Sequence, residues 1–266
     1  MPFIDANDIR LFHRFDGPER APVLALSNSL GTDHALWEPQ MAAFSKRFRV
    51  LRYDTRGHGR SGVPTQPATL EQLGRDFLGL LDGLGLQRVH FCGLSLGGMT
   101  GMWLGWNAPA RIERLVLCNT STQMGPPEPW NTRIEAVRAS GMAAVTEGVI
   151  GRWFTSGFRG RAPEAVERVR RMLLETPKDG YAACCAAIRD MDQREAIAAI
   201  RSPTLVIAGS QDPATPPDHA RFIAARIAGA SLVELDAAHL SNVEAAEKFT
   251  QAVLGFLEGR AEGELG

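Results

Sequence analysis

The sequence predicts an α/β protein in which a mostly parallel sheet is flanked by helices and carries an all-helical insertion before its last two strands. Two observations predict it. Short apolar runs alternate with longer stretches of helical periodicity, and that alternation stops between residues 123 and 199. The runs are Val23–Leu26, Phe48–Leu51, Val89–Cys92, Leu115–Cys118, Leu205–Ala208 and Leu232–Leu235. Each has strand length and is followed by turn-forming residues. An earlier segment, Ile9–Phe15, alternates more weakly and reads as an antiparallel edge strand. Between the third and second runs from the start, Leu70–Leu84 places apolar residues at 70, 73, 77, 80, 81 and 84, which is one face of a helix.

The break in this rhythm divides the chain into a core, 1–122 and 200–266, and a helical lid, 123–199. Gly125-Pro126-Pro127-Glu128-Pro129 opens the lid as a bend. Helical patterns follow over 131–140, 142–150, 163–175 and 179–189. The strand pattern resumes at Pro203. The polar tail from Glu258 to Gly263 is expected to fray.

Composition narrows the function. The 266 residues, 44% of them hydrophobic, suffice for one large core or two modest ones. The formal net charge is −1, with no basic stripe, so neither nucleic acid nor an anionic membrane surface is an expected partner. No apolar run is long enough to span a bilayer. Met1–Asp5 has no charged region followed by an apolar one, so no secretory signal is expected. Cys92, Cys118, Cys184 and Cys185 form no C-x-x-C pair and read as reduced thiols of a cytoplasmic protein, with Cys92 and Cys118 in the core. Oligomeric state, including a homodimer, stays open.

The chemistry centres on Gly93-Leu94-Ser95-Leu96-Gly97. It follows an apolar strand and precedes a helical stretch, the context a G-x-S-x-G nucleophile elbow requires. Glycines two before and two after Ser95 permit the tight turn, and the following helix points its positive end at the site. A serine hydroxyl needs a base. Asp212 and His239 each follow the end of a strand-like run, in the order Ser, acid, His found in α/β-hydrolases. The other histidines fit less well: His13 and His90 lie in strands, His34 in a loop near the pocket, His58 in Gly57-His58-Gly59, and His219 at a helix start. Asp236 is a rival acid, but it shares a strand exit with His239; Asp76 and Asp82 lie on a helix.

With these landmarks the chain resembles the α/β-hydrolases, and more narrowly the 3-oxoadipate enol-lactonases of aromatic degradation. The resemblance covers most of the core. It rests on Ser27-Asn28-Ser29-Leu30-Gly31-Thr32, Asp54-Thr55-Arg56-Gly57-His58-Gly59-Arg60-Ser61, the elbow with Gly98-Met99, Asp212–Pro217, and Ala237-Ala238-His239-Leu240-Ser241-Asn242-Val243-Glu244. Where many relatives have His-Gly, this chain has Asn28-Ser29. Ala245-Ala246 stands where relatives often carry Pro. The resemblance implies Ser95, Asp212 and His239 as catalytic residues and the backbone N–H groups of Leu30 and Leu96 as the oxyanion hole. Arg56 and His58 are expected to be scaffold. The implied reaction opens 3-oxoadipate enol-lactone through an acyl-enzyme on Ser95, with no metal and no organic cofactor.

Such a small-molecule lactone carries a carboxylate, and a buried anion needs a cation. Arg133 is the first choice; Arg152, Arg159 and Arg161 are others in the lid. Trp130, Trp153, Met99 and Trp103 are candidate walls. A carboxylesterase or C–C bond hydrolase of the same fold would share the elbow and its partners, and a signalling receptor of the fold can retain them. The serine argues against a haloalkane dehalogenase.

Overall fold

The computed structural model describes residues 2–259. Among the described residues there are eight strands: β1 (Phe3–Ala6), β2 (Ile9–Asp16), β3 (Val23–Ser27), β4 (Arg49–Tyr53), β5 (Val89–Leu94), β6 (Ile112–Cys118), β7 (Thr204–Gly209) and β8 (Ser231–Leu235). They form one sheet in the order β1-β2-β4-β3-β5-β6-β7-β8. From β4 to β8 all neighbours are parallel, whereas β1, β2 and β4 pair antiparallel. The fold class follows the sequence, with one correction. Ile9–Asp16 is not an edge strand, because β1 lies outside it. Phe3–Ala6 is too short to show alternation, and it is joined to β2 by Asn7 and Asp8, both left-handed at φ 49° and 62°. That is the backbone of a tight hairpin turn.

Central strands covered on both faces become continuous apolar runs. Every residue of β7 is buried, and all of β5 except His90. After β3 the chain builds β4 on one side, then crosses to build β5 on the other. This reversal of strand order opens a crevice at the carboxyl ends of β3 and β5, where open α/β sheets bind ligands.

Helices α1 (Glu38–Phe44), α2 (Leu70–Gly83) and α3 (Leu96–Asn107) lie in the first half of the core. Thr69 and Gln72 form a reciprocal capping box at the start of α2, which buries Leu70, Leu73, Phe77, Leu80 and Leu81. α3 is buried on most sides because it is wedged between the sheet and α2. Gly74 makes room for Trp103 of α3: a Cβ there would lie 2.0 Å from the indole.

Between β6 and β7 the chain forms five α-helices: α4 (Glu128–Ser140), α5 (Ala143–Trp153), α6 (Ser156–Arg161), α7 (Pro163–Glu175) and α8 (Lys178–Asp190). The six-residue α6 is too short to register as a periodic pattern; Thr155 caps it by accepting from Phe158 N–H. α8 seats on the core by backbone contact, since a Cβ on Gly180 would lie 2.1 Å from Gly57 O. The last part of the chain adds α9 (Pro217–Arg226), α10 (Ser241–Glu244) and α11 (Ala246–Leu257). α11 packs with α1, bringing Phe249 against Trp37. Cys92 and Cys118 are buried in adjoining strands with their Sγ atoms 3.8 Å apart. Among the described residues no helix is long and apolar enough to cross a membrane. The part of the tail from Arg260 to Gly263 lies outside the described residues.

Candidate active site

Ser95 stands between β5 and α3 with φ 56° and ψ −112°, a backbone that a residue with a side chain rarely adopts. Its surroundings impose it. Ser95 N–H donates to Cys118 O at 2.9 Å, and Ser95 O accepts from Met99 N–H and Thr120 Oγ1. The flanking glycines are sterically required: a Cβ on Gly93 would fall 2.2 Å from Gly97 O, and one on Gly97 would fall 2.2 Å from Ser27 O. Gly97 N–H also donates to Asn28 O, so the elbow and the loop after β3 are tied together.

That loop carries Leu30. Gly31 N–H donates to His58 Nε2 at 2.8 Å, while the other ring nitrogen lies 3.0 Å from Arg56 O. The geometry fixes one tautomer, with Nε2 accepting and Nδ1–H donating. Burial is the main cause that pulls the His58 pKa below its ordinary value, against the Arg56 carbonyl and Asp54. His58 therefore supports the loop as a neutral ring. Arg56 is equally scaffold, making two hydrogen bonds to Asp76. Leu30 N–H has no partner among the described residues. Leu96 N–H opens α3, and first-turn amides have no acceptor within their own helix.

Asp212, after β7, and His239, after β8, meet: His239 Nδ1 is 2.8 Å from Asp212 Oδ2. The same carboxylate oxygen accepts from Thr215 Oγ1 and Asn119 Nδ2, and the other accepts from the N–H groups of Ala214 and Thr215. Burial works to raise the Asp212 pKa. The charge on His239 and the hydrogen bonds from His239, Thr215 and Asn119 outweigh burial and bring it down to about 2. An ionised Asp212 keeps the proton of a neutral His239 on Nδ1, leaving Nε2 as a lone pair. Ser95 and His239 line the same cavity, although no hydrogen bond joins them among the described residues. Contacts of this kind often tighten only when substrate binds.

The cavity encloses about 300 Å³. Of the candidate walls, Met99, Trp130 and Trp153 line it together with Leu30. Trp153 also stacks on His239, with ring centroids 6.0 Å apart. Trp103 does not; it is on the far side of α3, against Gly74. Arg133 and Arg152 both line the cavity, whereas Arg159 and Arg161 lie exposed on α6. Among the described residues no carboxylate pairs with Arg133 or Arg152. Burial, then the charge of Arg133, pull the Arg152 pKa below its usual value. Arg133 lies over the Trp130 ring, 4.7 Å from its centroid, and beside the Tyr181 hydroxyl.

The rival groups are elsewhere. Asp236 is exposed and accepts from Gln211. His34 is off the cavity, bonded to Asp54 through both its backbone N–H and Nδ1. Asp33, His34 and Asp54 bring three metal-ligating atoms together, but Asp54 is already occupied by His34 and by Arg60 N–H. Asn119, Thr215 and Tyr181 are site residues that sequence reasoning missed. Asn119 had a visible signal, since it directly follows the apolar run that became β6. Thr215 follows Asp212 by three residues, and Tyr181 lay on a helix whose facing side could not be known.

Residues 23–252 match the model of the Alpha/beta hydrolase family. Two proteins of Acinetobacter baylyi, 3-oxoadipate enol-lactonase 1 and 3-oxoadipate enol-lactonase 2, are 42% and 39% identical to this chain. The first alignment covers 92% of both chains, and the second 94% of both. The crystal structure of the enol-lactonase from Burkholderia xenovorans LB400 superposes with a TM-score of 0.95 at 48% identity, covering 97% of this chain and 100% of that one.

Proposed function

This chain belongs to the alpha/beta hydrolase family and is a relative of the enol-lactonases, and on that premise we propose that it opens 3-oxoadipate enol-lactone through an acyl-enzyme on Ser95. The observation that carries the substrate assignment is the pair of guanidiniums, Arg133 and Arg152, that line the cavity also holding Ser95 and His239 and that have no carboxylate partner among the described residues. Two adjacent cations without a carboxylate repel each other. A ligand anion relieves that repulsion and accepts charge-assisted hydrogen bonds.

In this reading the substrate carboxylate sits under the insert, which serves as a lid, and the lactone carbonyl faces Ser95. Ser95 Oγ attacks the carbonyl carbon as His239 Nε2 takes its proton, and Asp212 stabilises the imidazolium. The tetrahedral oxyanion accepts from Leu30 N–H and Leu96 N–H, assisted by the positive end of α3. Collapse breaks the ring C–O bond. The leaving oxygen departs as an enolate, more stable than an alkoxide; it takes the proton held on His239 Nε2, which leaves the ring neutral again, and the enol tautomerises to the ketone. Water then gives a proton to His239 and attacks the acyl-enzyme, releasing 3-oxoadipate and restoring Ser95.

The test is to generate the enol-lactone from muconolactone with an isomerase and to follow its loss with purified protein. Rapid turnover is expected, falling by about 10⁴-fold or more in Ser95→Ala. Hydrolysis of p-nitrophenyl esters without lactone turnover overturns the substrate. Undiminished activity in Ser95→Ala overturns the nucleophile.

A further inference from the structure

Glu244 has no part in the chemistry above, yet it is buried five residues beyond the base. Its Oε2 accepts from Ala238 N–H at 3.1 Å and from Thr155 N–H at 3.2 Å. Its Oε1 accepts from the Thr155 hydroxyl. Ala238 precedes His239; Thr155 is in the insert, between α5 and α6. A second bond runs alongside, from Leu240 N–H to Trp153 O at 3.1 Å. One carboxyl group therefore fastens the loop bearing His239 to residues 153–155 of the insert. A carboxylate suits the place, because three donors converge on it and both of its oxygens accept. A glutamine keeps the two N–H bonds only by turning its NH₂ toward the Thr155 hydroxyl, which then accepts where it had donated and already accepts from Phe158 N–H.

The joint has a direction. Asp212 holds His239 from the sheet, at Nδ1, and Trp153 holds the face of the ring from the insert. Trp153 is preceded by Arg152, which lines the cavity. Residues 152–155 thus meet the site of the substrate anion, the imidazole ring and Glu244 in succession. We propose that Glu244, through Thr155, is a positioning residue that locks His239 to the insert, so that binding of a carboxylate at Arg152 and placement of the base are coupled. The coupling rests on the substrate reading given above; the positioning of His239 does not.

The experiment compares Thr155→Val, Thr155→Ser and Glu244→Gln with the unaltered protein on two matched esters. p-Nitrophenyl hemisuccinate carries a carboxylate, and p-nitrophenyl butyrate does not. Thr155→Val is expected to lower kcat on the butyrate about 10-fold or more with KM within about 2-fold, the signature of a displaced base. Glu244→Gln is expected to do the same, and Thr155→Ser to restore kcat to within about 3-fold. In the unaltered protein kcat is expected to favour the hemisuccinate, and Thr155→Val to bring the kcat ratio close to one while leaving the KM ratio in place. A Thr155→Val protein that is less heat-stable but keeps both kcat values and the pH profile overturns the positioning role. An unaltered protein with equal kcat on both esters overturns the coupling. The substrate reading itself fails separately, by absence of lactone turnover, and the nucleophile by the activity of Ser95→Ala.

Discussion

The carboxyl ends of the strands and the helical insert each supply polar groups to one cavity, and they supply them in opposite states. On the sheet side the acid is saturated: Asp212 accepts five hydrogen bonds, from His239, Thr215 Oγ1, Asn119 and two backbone amides. On the insert side Arg133 and Arg152 face the cavity with no carboxylate partner among the described residues. On the function proposed above, the difference separates two tasks. A group that must hold its geometry through a reaction is fixed in advance, so that no reorganisation accompanies the chemistry. A group that must recognise an anionic ligand is left without a carboxylate of its own chain.

Replacing Asp212 by Asn breaks the saturated side most severely. The amide offers N–H where His239 Nδ1–H donates, which favours the wrong tautomer, and kcat on any ester is expected to fall by about 10⁴-fold with little change in KM. A loss in KM alone would show that Asp212 is not the orienting acid. The cationic side is sharpened by removing its arginines. Arg133→Ala and Arg152→Ala are each expected to raise KM for the anionic lactone roughly 10- to 100-fold, the equivalent of one charge-assisted hydrogen bond. KM for a neutral ester is expected to stay within about 2-fold. Equal effects on both substrates would remove these residues from carboxylate recognition.

The smallest effect concerns pH. The folded His58 has a pKa below its ordinary value of 6.5, so below that pH the unfolded chain binds a proton that the folded chain refuses. Its contribution to stability is present above pH 6.5, is lost as pH falls, and is spent once pH passes the folded pKa. His58→Gln is expected to flatten the fall in melting temperature below pH 6.5, although His13, His90 and His219 share the same direction and leave part of the slope. An unchanged slope would exclude His58 as a contributor. Asp212 acts in a lower window, its share present above pH 3.8 and lost as pH falls through about 2.

The sheet side was the more legible in sequence for the same physical reason. Fully covered strands have to be apolar, so β5, β6 and β7 announce themselves, and the groups placed at their ends can be counted off. β1 escaped because four residues with an exposed edge need no pattern. The insert was legible as helices but not as a surface. Periodicity gives a helix a buried stripe without saying what it is buried against, which is why Arg152 could not be told from Arg159 and Arg161. Trp103 shows the same limit: on α3, buried nearly all round, an indole directed at Gly74 and one directed at the cavity leave the same trace.

The contact between Gly57 and Gly180 has a consequence for exchanging inserts between relatives. The two backbones touch with no side chain between them, and Gly180 is followed at once by Tyr181, a cavity residue. A chimera that imports a foreign α8 with any larger residue at 180 stands that helix off the core by at least a methyl group. Tyr181 retreats with it, and Arg133 loses the hydroxyl beside it. The graft point that matters is therefore not the pair of chain junctions at the insert's ends but a glycine inside it, which travels with the core it touches.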